Sequence, residues 1–415
     1  MNSDSLIEVI NCRRVFDSRG NPTIEVEIFT KNGSYGRAIS PSGASTGLNE
    51  AIEIRDNDDM FGGKDVKKGL EIINKKIAPQ LVGLSCENQN EFDNILKNLD
   101  KSDQKLNIGG NVSTALSIAN YLCASNFNME PAYKYHSNSN NNNILPRPEI
   151  QIFGGGAHAG NSKSFQDFLI YPINNMTYEE YFNIVFNVSN SAKKKLIKNN
   201  NFFGYCDEGG LYPNNLNHFQ ICEIINESIT ECKLVPGKEI GISIDVAASN
   251  FYKDGIYTLY NKELDASELT NIYDKLIKKL NVSLIEDPYQ EEDIISFANL
   301  QSQYNQFVGI VGDDLICTRH DLLKNAINQK AVSAIIIKIN QCGTITETLE
   351  TIKLAKQNNI KTILSARSGD TEDSFLSHLA IAWGNEMIKV GSFSRSERTS
   401  KWNELIRIEE IINKK

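Results

Sequence analysis

The sequence has no apolar stretch that approaches the roughly 20 residues of a membrane-spanning helix. Residues 1–5 do not place a basic region before an apolar core, so we expect no signal peptide. A surplus of positive charge is also missing, since 43 lysine and arginine residues face 52 acidic ones and the formal net charge is -9. Nucleic acid is therefore a poor candidate partner, because its phosphates require many cations. A small anionic substrate needs only a local cluster of cations.

Paired cysteine motifs are absent as well. The eight cysteines are scattered, none forms a C-x-x-C pair and several lie in apolar segments. This usage predicts reduced core cysteines, no disulfide framework and a cytoplasmic location. The hydrophobic fraction of 40% and the charged fraction of 23% are ordinary for a globular protein. A length of 415 residues suggests two or three domains, or one large barrel with an addition.

The pattern of strands and helices changes once along the chain. Residues 7–41 are rich in strand signals, and helical patterns follow them. An asparagine-rich tract, residues 137–143, predicts a linker between an N-terminal domain, residues 1–136, and a C-terminal domain, residues 144–415. Beyond the tract, strand-like and helix-like runs alternate to the C-terminus. Six or more such units in succession favour a parallel sheet that closes into a (β/α) barrel.

Four of these apolar runs end on a charged side chain, at the edge of a parallel sheet where binding sites form. The residues are Asp245, Glu286, Asp313 and Lys338, and the last three are 27 and 25 residues apart. A strand, a crossover helix and two turns need about that length. Carboxylates are ligands that Mg²⁺ prefers, so the three acids predict a divalent-metal site. One such acid alone would more simply be a helix cap, but three in succession followed by a lysine would not.

Lys338 follows three isoleucines and is expected to face the mouth of the barrel, because burying an unpaired charge is costly. Burial and a nearby dication both lower the pKa of a lysine, which makes Lys338 a candidate general base. The alternative is a structural partner for Asp313 or Glu286. Arg367 and Lys389 add positive charge near later strand ends. Arginine binds phosphate or carboxylate through two parallel hydrogen bonds, so these residues suit a substrate with both groups.

Two glycine-punctuated loops carry further candidate residues. Residues 154–161 include His158, and residues 207–210 include Glu208. Glycines in such loops let the backbone approach a ligand and let a lid move. Either loop alone is a weak signal, since most glycine-rich loops are turns.

Taken together, these residues resemble the enolase family over nearly the whole length of the chain. The segments that match in order and spacing are residues 16–23, 42–47, 207–210, 285–288, 312–315, 338–341, 367–369 and 405–410. The resemblance implies an α/β fold in which an N-terminal α+β domain caps a (β/α)8 TIM-like barrel. It also implies a homodimer, because Glu25 and Arg407 match an intersubunit pair of the family.

The resemblance further implies a Mg²⁺-dependent lyase. Such an enzyme removes the C2 proton of 2-phosphoglycerate, forms an enolate that two Mg²⁺ ions stabilise, and eliminates water to give phosphoenolpyruvate. Asp245, Glu286 and Asp313 match the ligands of the first ion, and Ser42 matches a ligand of the second. Lys338 matches the base that takes the proton.

Other residues match positions that handle the substrate. Glu208 matches the acid that assists departure of the C3 hydroxyl, and Asp167 occupies a second catalytic position. The implied substrate contacts are Arg367 and Ser368 for the phosphate, Lys389 for the carboxylate, His158 in a closing loop, and Gln166.

Three positions depart from the family pattern. Ala366 replaces a histidine, Asp167 replaces a glutamate that is one methylene longer, and Gly154 replaces a common asparagine. In the family, the positions of Ala366 and Asp167 lie around the leaving hydroxyl. The half of the site that forms the enolate is therefore preserved, and the half that expels hydroxide is altered. Loss of one proton-transfer partner typically costs about 10²–10⁴ in rate.

Three functions remain open on the sequence. The first is a true enolase, in which the departures are tolerated drift. The second is a divergent paralogue that acts on a related phospho or phosphono acid, such as the carboxyphosphonoenolpyruvate synthase of phosphonate biosynthesis. The third is a non-catalytic binding role, which is disfavoured because drift should also have damaged the metal acids and Lys338.

Overall fold

The computed structural model describes residues 3–135, 145–160, 162–304 and 308–414. The predicted linker, residues 137–143, lies outside the described residues, so the division of the chain at that point stays a prediction. None of the helices in the described ranges is both long enough and apolar enough to cross a membrane.

The N-terminal part of the described chain is a three-stranded antiparallel sheet with helices packed on it. After a 3₁₀ turn (Ser3–Ser5), its elements are β1 (Ile7–Phe16), β2 (Pro22–Thr30), β3 (Tyr35–Ile39), α1 (Lys67–Ile72), a π-helical turn (Ile73–Ile77), α2 (Ala78–Leu81), α3 (Gln89–Leu99) and α4 (Gly110–Phe127). The predicted strand-rich segment is confirmed. α4 packs against β2 and β3 and is almost entirely buried. Gly36 of β3 allows this close approach, because an added Cβ would stand 2.1 Å from the carbonyl oxygen of Ala119.

The rest of the described chain contains a closed ring of eight strands. The strands in this part of the chain, inside and outside the ring, are β4 (Arg147–Gly154), β5 (Asp167–Pro172), β6 (Phe202–Tyr205), β7 (Leu211–Pro213), β8 (Ile240–Asp245), β9 (Tyr252–Lys253), β10 (Ile256–Leu259), β11 (Lys262–Leu264), β12 (Val282–Glu286), β13 (Gly309–Gly312), β14 (Ala334–Ile337), β15 (Lys361–Ser365) and β16 (Met387–Ser392). The ring runs β4–β5–β8–β12–β13–β14–β15–β16, and β16 pairs back with β4. The predicted (β/α)8 TIM-like barrel with an added N-terminal α+β unit is therefore confirmed.

One strand of the ring runs against the others. β5 pairs antiparallel with both β4 and β8, whereas β4, β8 and β12 to β16 run parallel wherever they are neighbours. The sequence pattern predicted a parallel sheet, and β5 differs because residues 155–166, as far as they are described, hold a 3₁₀ turn and no α-helix. A parallel connection usually needs a crossover helix. The reversal brings Asp167, at the start of β5, level with Gly154 and Asp245 at the ends of their strands.

Helices cover the outside of the ring. They are α5 (Tyr178–Lys198), α6 (His218–Glu231), α7 (Ala266–Leu280), α8 (Ile294–Tyr304), α9 (His320–Gln329), α10 (Ile339–Cys342), α11 (Ile345–Gln357), α12 (Phe375–Ala382) and α13 (Ser396–Asn413). α5, α6 and α7 begin with reciprocal caps; at α5 the Thr177 side chain accepts from the backbone of Glu180, whose side chain accepts from Thr177 N. The strand–helix alternation predicted after the asparagine-rich tract is present.

A buried carboxylate on α3 joins the N-terminal sheet and helices to the barrel. Asp93 accepts hydrogen bonds from Thr346 N at 2.9 Å and Thr346 Oγ1 at 2.6 Å, in the first turn of α11. Ser117 Oγ on α4 donates to the other carboxylate oxygen at 2.7 Å. Burial raises the pKa of Asp93, and these donors oppose the rise. The contact fixes α3 and α4 against a barrel helix.

We expect Asp93→Ala to lower the free energy of unfolding by roughly 2–4 kcal/mol, because several buried donors lose their acceptor. Asn94→Ala, at the next and exposed position of α3, is the control. It should change stability by less than about 0.5 kcal/mol. Urea unfolding followed by circular dichroism measures both variants, and equal stability of the two would contradict the expectation.

Candidate active site

Three charged side chains meet across one mouth of the barrel. Asp245 and Glu286 are the last residues of β8 and β12, and Lys389 lies in β16. Lys389 Nζ is 2.9 Å from Asp245 Oδ2 and 2.7 Å from Glu286 Oε2, and all three residues are buried. Burial lowers the pKa of Lys389, but the two carboxylates outweigh it and hold that pKa well above its ordinary value. The ammonium therefore bridges the two acids inside the ring.

Lys338 and Asp313 form a second ion pair at the same mouth. Lys338 directly follows β14, Asp313 directly follows β13, and the ammonium donates to the Asp313 carboxylate. Gln341 Nε2 donates to Asp313 Oδ1 at 2.8 Å. Burial lowers the pKa of Lys338, but Asp313 outweighs it and the pKa is raised. The lowered pKa predicted from the sequence required a dication beside Lys338 as well as burial, and it stays a prediction for the metal-bound protein.

Asp287 fixes the backbone that carries Asp313. Its carboxylate accepts hydrogen bonds from Asp313 N at 2.9 Å and Asp314 N at 2.7 Å. Its φ of 41° lies in the left-handed region, which non-glycine residues seldom adopt. Asp287, in the turn after β12, is thus held in an unusual conformation, and its carboxylate reaches the backbone just after β13. Asp287 was not among the predicted site residues, although it lies in the matching segment 285–288.

Four buried polar residues face one another on the wall formed by β4 and β5. His158 Nδ1 lies 3.0 Å from Asp167 Oδ1, and His158 Nε2 lies 3.6 Å from Glu208 Oε1. Gln151 of β4 donates to Asp167 Oδ1 and, at 3.3 Å, to Glu208 Oε2. In the ring of eight, β5 is four strands away from β14. This group therefore lies on the wall opposite Lys338.

The charge on His158 is set by its two carboxylate neighbours. Burial lowers the pKa of His158, but Glu208 and Asp167 outweigh it and raise the pKa to about 10. His218 provides a contrast outside the mouth, stacked on Phe165, where burial lowers its pKa to about 4. At neutral pH, His158 is an imidazolium and His218 is neutral.

We expect an NMR titration of the imidazole signals to show His158 protonated up to about pH 10 and His218 neutral down to about pH 4. The folded-state pKa of His158 lies above the ordinary value of about 6.5. Its ion pairs therefore stabilise the fold fully below about pH 6.5, and this stability is lost as the pH rises through about 10. His158→Gln should remove that part of the pH dependence. A His158 signal that titrates near pH 6.5 would contradict the assignment.

The predicted phosphate contacts are joined to the N-terminal segment. Arg367 Nη1 donates to Glu50 Oε2 at 2.8 Å, and Arg367 Nη2 donates to Glu50 Oε1 at 3.2 Å. Ser368 Oγ accepts from Ala44 N at 2.7 Å. Sequence reasoning missed Glu50, whose only signal was an acid three residues after the matching segment 42–47. The carboxylate of Glu50 occupies the position on Arg367 that an anionic ligand would use.

Ser42 lies at the barrel mouth but on a separate set of contacts. Its backbone exchanges two hydrogen bonds with Gly369, both of 2.8 Å. Its hydroxyl donates to Glu53 Oε2 at 3.1 Å. Among the described residues, no hydrogen bond joins Ser42 to the three acids Asp245, Glu286 and Asp313. The structure therefore brings those acids together with the two lysines and leaves Ser42 apart from them.

The positions that depart from the family pattern have distinct surroundings. An added Cβ at Gly154 would lie 2.4 Å from Cys206 Sγ, so there is no room for a side chain there. Ala366 contributes a backbone N–H, which donates to Lys389 O at 2.8 Å. Gln166, just before Asp167, donates to Asp245 Oδ2 at 3.1 Å and so belongs to the mouth.

The donors at this mouth fit a divalent cation. In the described residues, two buried groups bring three potential ligand atoms within 4.8 Å of one another: Asp287, Asp313 and Asp314, and His158, Asp167 and Glu208. Burial and the neighbouring Asp313 raise the pKa of Asp287 and Asp314 well above the ordinary value. Carboxylates this close repel one another, because the positive charge around them is too small to neutralise them. Their oxygen atoms are ligands that suit a hard cation. Asp245 and Glu286 stand outside both groups, with Lys389 on their oxygens.

A closed barrel with a carboxylate-rich mouth, a lysine on one wall and an acid–imidazole group on the other is suited to metal-assisted proton transfer. A family model described as "Enolase, N-terminal domain" matches residues 7–136, and one described as "Enolase, C-terminal TIM barrel domain" matches residues 142–415. The chain belongs to the enolase family.

Curated relatives agree with this assignment. The proteins named "Enolase" from Lactobacillus helveticus and Lactobacillus acidophilus are each 40% identical to the chain over 413 residues, which is 99% of the chain and 96% of the relative. The one from Campylobacter jejuni is 38% identical over 404 residues, 97% of each. The chain is an enolase-superfamily lyase, and its relatives imply a metal cofactor. They do not favour the phosphonate-pathway alternative or a non-catalytic role.

Proposed function

We propose that this chain interconverts 2-phosphoglycerate and phosphoenolpyruvate, with Lys338 and Glu208 acting from opposite walls of the barrel mouth. The observation that carries the proposal is the placement of Lys338 after β14 and of the Asp167–His158–Glu208 group on the wall of β4 and β5, half a ring away. A substrate held between the walls gives its C2 proton to Lys338 on one face and loses its C3 hydroxyl toward the other. A base on one wall and an acid on the other can act on adjacent carbons of one bound substrate without contacting each other.

The acid side is built to donate a proton. Burial raises the pKa of Glu208, Asp167 adds to the rise, and the His158 imidazolium opposes it. A carboxyl with a raised pKa retains its proton at higher pH, as a general acid must. Asp167 holds His158, and Gln151 holds both carboxylates, so the leaving-group side keeps a connected set of polar groups without a histidine at position 366. The shorter Asp167 side chain still reaches its partners.

Substrate anions are taken by the cationic side of the mouth. Arg367 and Ser368 hold the phosphate, and Lys389 and Gln166 hold the carboxylate end. Because both terminal nitrogens of Arg367 are paired with Glu50, the phosphate takes over contacts that this carboxylate makes in the free protein. The paired geometry shows that the guanidinium is already oriented for a two-oxygen anion.

Two Mg²⁺ ions complete the site in this proposal. Asp245, Glu286 and Asp313 would hold the first, and Ser42 would be a ligand of the second. When bound, such ions neutralise negative charge that gathers on the substrate carboxylate as the C2 proton leaves. With an ion on Asp313, this carboxylate would stabilise the Lys338 ammonium less, and burial would favour the neutral amine that can accept a proton.

We further propose a cytoplasmic homodimer, with chain division near residues 137–143. Glu25 pairs with Arg13 and Arg37 within the chain, and Arg407 pairs with Glu404 at 2.7 Å. Arg407 has 63% of its side chain exposed and so can reach a partner copy. Light scattering of the purified chain tests the dimer, and Arg407→Glu should shift it toward monomer.

The assay for the proposed function is phosphoenolpyruvate formation from 2-phosphoglycerate with Mg²⁺, followed by ultraviolet absorbance. Turnover in the range of ordinary enzymes, about 1–10³ s⁻¹, is expected. 3-Phosphoglycerate, which carries the same anions with the hydroxyl and phosphate exchanged, is the control substrate and should not react. No turnover of 2-phosphoglycerate by folded, Mg²⁺-loaded protein would refute the proposal.

A further inference from the structure

Glu149 is a buried carboxylate inside the barrel that has no part in the chemistry described above. It lies in β4 two residues before Gln151, so both side chains point into the ring. Glu149 is 1% exposed, and Ser243 of β8 is its hydrogen-bond partner. Its Oε2 atom has no hydrogen-bond partner among the described residues. A buried carboxylate oxygen without a donor is costly, so the position requires an explanation.

The charged neighbour of Glu149 in the sheet is Lys389. The two residues are register partners on the adjacent parallel strands β4 and β16. Burial raises the pKa of Glu149, and the Lys389 ammonium opposes the rise. Because Glu149 is two residues nearer the start of β4 than Gln151, its carboxylate lies one layer deeper in the barrel than the mouth. Lys389 thus has carboxylates on two sides, one deeper in the barrel and two across the mouth.

The two acids across the mouth are the ones that the proposed function assigns to a metal. Lys389 Nζ now donates to Asp245 Oδ2 at 2.9 Å and to Glu286 Oε2 at 2.7 Å. A dication on these oxygens removes the counter-charges of the ammonium and adds a like charge beside it. Lys389 then needs another carboxylate within reach of its flexible stem.

Two further acids act on Lys389, Glu149 and Asp167, and each has one buried carboxylate oxygen without a hydrogen-bond partner among the described residues. Asp167 also acts on Lys389 electrostatically. Its Oδ1 atom, however, already pairs with the His158 imidazolium and accepts from Gln151, so the charge of Asp167 is shared with another cation. Glu149 Oε2 is buried and accepts nothing among the described residues. An ammonium has three donors, and two of those of Lys389 are in use, which leaves one donor for a further acceptor.

We propose that Glu149 is a positioning residue for Lys389, which supplies the counter-charge that keeps the ammonium at the mouth when Asp245 and Glu286 bind a divalent cation. Lys389 exchanges partners as the cation arrives, from the two mouth acids to Glu149. The inference rests on the proposed function in so far as Asp245 and Glu286 are metal ligands. The affinity for the metal and the binding of the substrate carboxylate by Lys389 then both depend on Glu149, which contacts neither the metal nor the substrate.

Glu149→Gln tests the proposal, because it keeps the shape of the side chain and removes its charge. Isothermal titration of Mg²⁺ into the substrate-free protein is expected to show affinity weakened roughly 10- to 100-fold, the scale of one lost charge interaction inside a protein. KM for 2-phosphoglycerate should rise with kcat changed much less. Glu386→Gln is the matched control: this carboxylate precedes β16 at the other end of the barrel, where it accepts from Thr362 N at 2.8 Å. Its Mg²⁺ affinity should equal that of the wild type.

A double-mutant cycle shows whether the effect passes through Lys389. In a Lys389→Met background, Glu149→Gln should no longer weaken Mg²⁺ binding. An undiminished effect in that background, or unchanged affinity of the single variant beside a wild type that binds Mg²⁺, would overturn the proposal. If Glu286→Gln leaves Mg²⁺ binding intact, the ligand assignment of the proposed function fails first, and this inference fails with it.

A crystal structure of the wild-type chain with Mg²⁺ provides a test that does not depend on the folding of any variant. Lys389 Nζ is expected within about 3.2 Å of a Glu149 carboxylate oxygen, the limit of an ordinary hydrogen bond. If Lys389 Nζ still contacts both Asp245 and Glu286 while the ion is bound, the partner exchange does not occur and the proposal is wrong.

Discussion

Lys338→Ala is expected to lower kcat for 2-phosphoglycerate by about 10²–10⁴-fold, the usual contribution of a positioned general base. KM should change little, because Lys338 holds a proton and not the phosphate. Exchange of the C2 proton with deuterated solvent, followed by NMR, should be lost along with the overall reaction. Lys361→Ala is the control, since it removes an exposed ammonium at the start of β15, at the other end of the barrel.

The backbone at Lys338 does not depend on its side chain, so the variant should fold. Lys338 N donates to Thr318 Oγ1 at 2.8 Å, and Gln341 keeps its bond to Asp313 when the ammonium is gone. A thermal unfolding curve close to that of the wild type confirms this. A rate loss below tenfold, or C2 proton exchange that survives the substitution, would assign the base to another residue.

Glu286→Gln is expected to weaken Mg²⁺ binding by more than the 10- to 100-fold that loss of an outer-shell partner typically costs. The carboxylate is the last residue of β12, is 2% exposed, and has no role in the fold beyond its contact with Lys389 among the hydrogen bonds described. Activity at a fixed low Mg²⁺ concentration should fall in parallel and partly return as Mg²⁺ is raised. Calorimetry and a Mg²⁺ dependence of the rate measure the two effects.

Two controls accompany this experiment. Glu292→Gln makes the same change at an exposed position just after the strand and should behave as the wild type. Removal of divalent ions with a chelator should abolish wild-type activity, and added Mg²⁺ should restore it. Wild-type Mg²⁺ affinity in Glu286→Gln would remove this residue from the ligand set.

The strand-end acids could be found from the sequence because of how a barrel is filled. Short runs of isoleucine, leucine and valine pack the ring interior, and a charged residue such as Asp245 or Glu286 can follow only where the strand reaches the mouth. The length between strand ends then gives the crossover helices, and the structure has α7, α8, α9 and α11 in these intervals. Local periodicity therefore predicted both the barrel and the edge that carries the charges.

Features that depend on contacts between distant parts of the chain could not be predicted from the sequence. The apolar run of β5 carries no mark of its direction, so its reversal could be inferred only from the lack of a helix pattern before it. The contact between Glu50 and Arg367 spans 317 residues and leaves no periodic trace. Glu149 did leave a signal, an acid two residues before Gln151 on the inward face of a strand, but only the assembled ring shows that Lys389 lies beside it.

The pairing of β16 with β4 has a consequence for how the protein is made. Lys389 pairs in register with Glu149, which is 240 positions earlier in the chain (389 − 149). A nascent chain is synthesised from its N-terminus, so one edge of β4 stays unpaired while the later strands of the ring are synthesised. Asp245 and Glu286 leave the ribosome well before the lysine that neutralises them. Until β16 pairs with β4 the barrel cannot close, so Asp245 and Glu286 remain without their ammonium partner through most of the synthesis of the barrel.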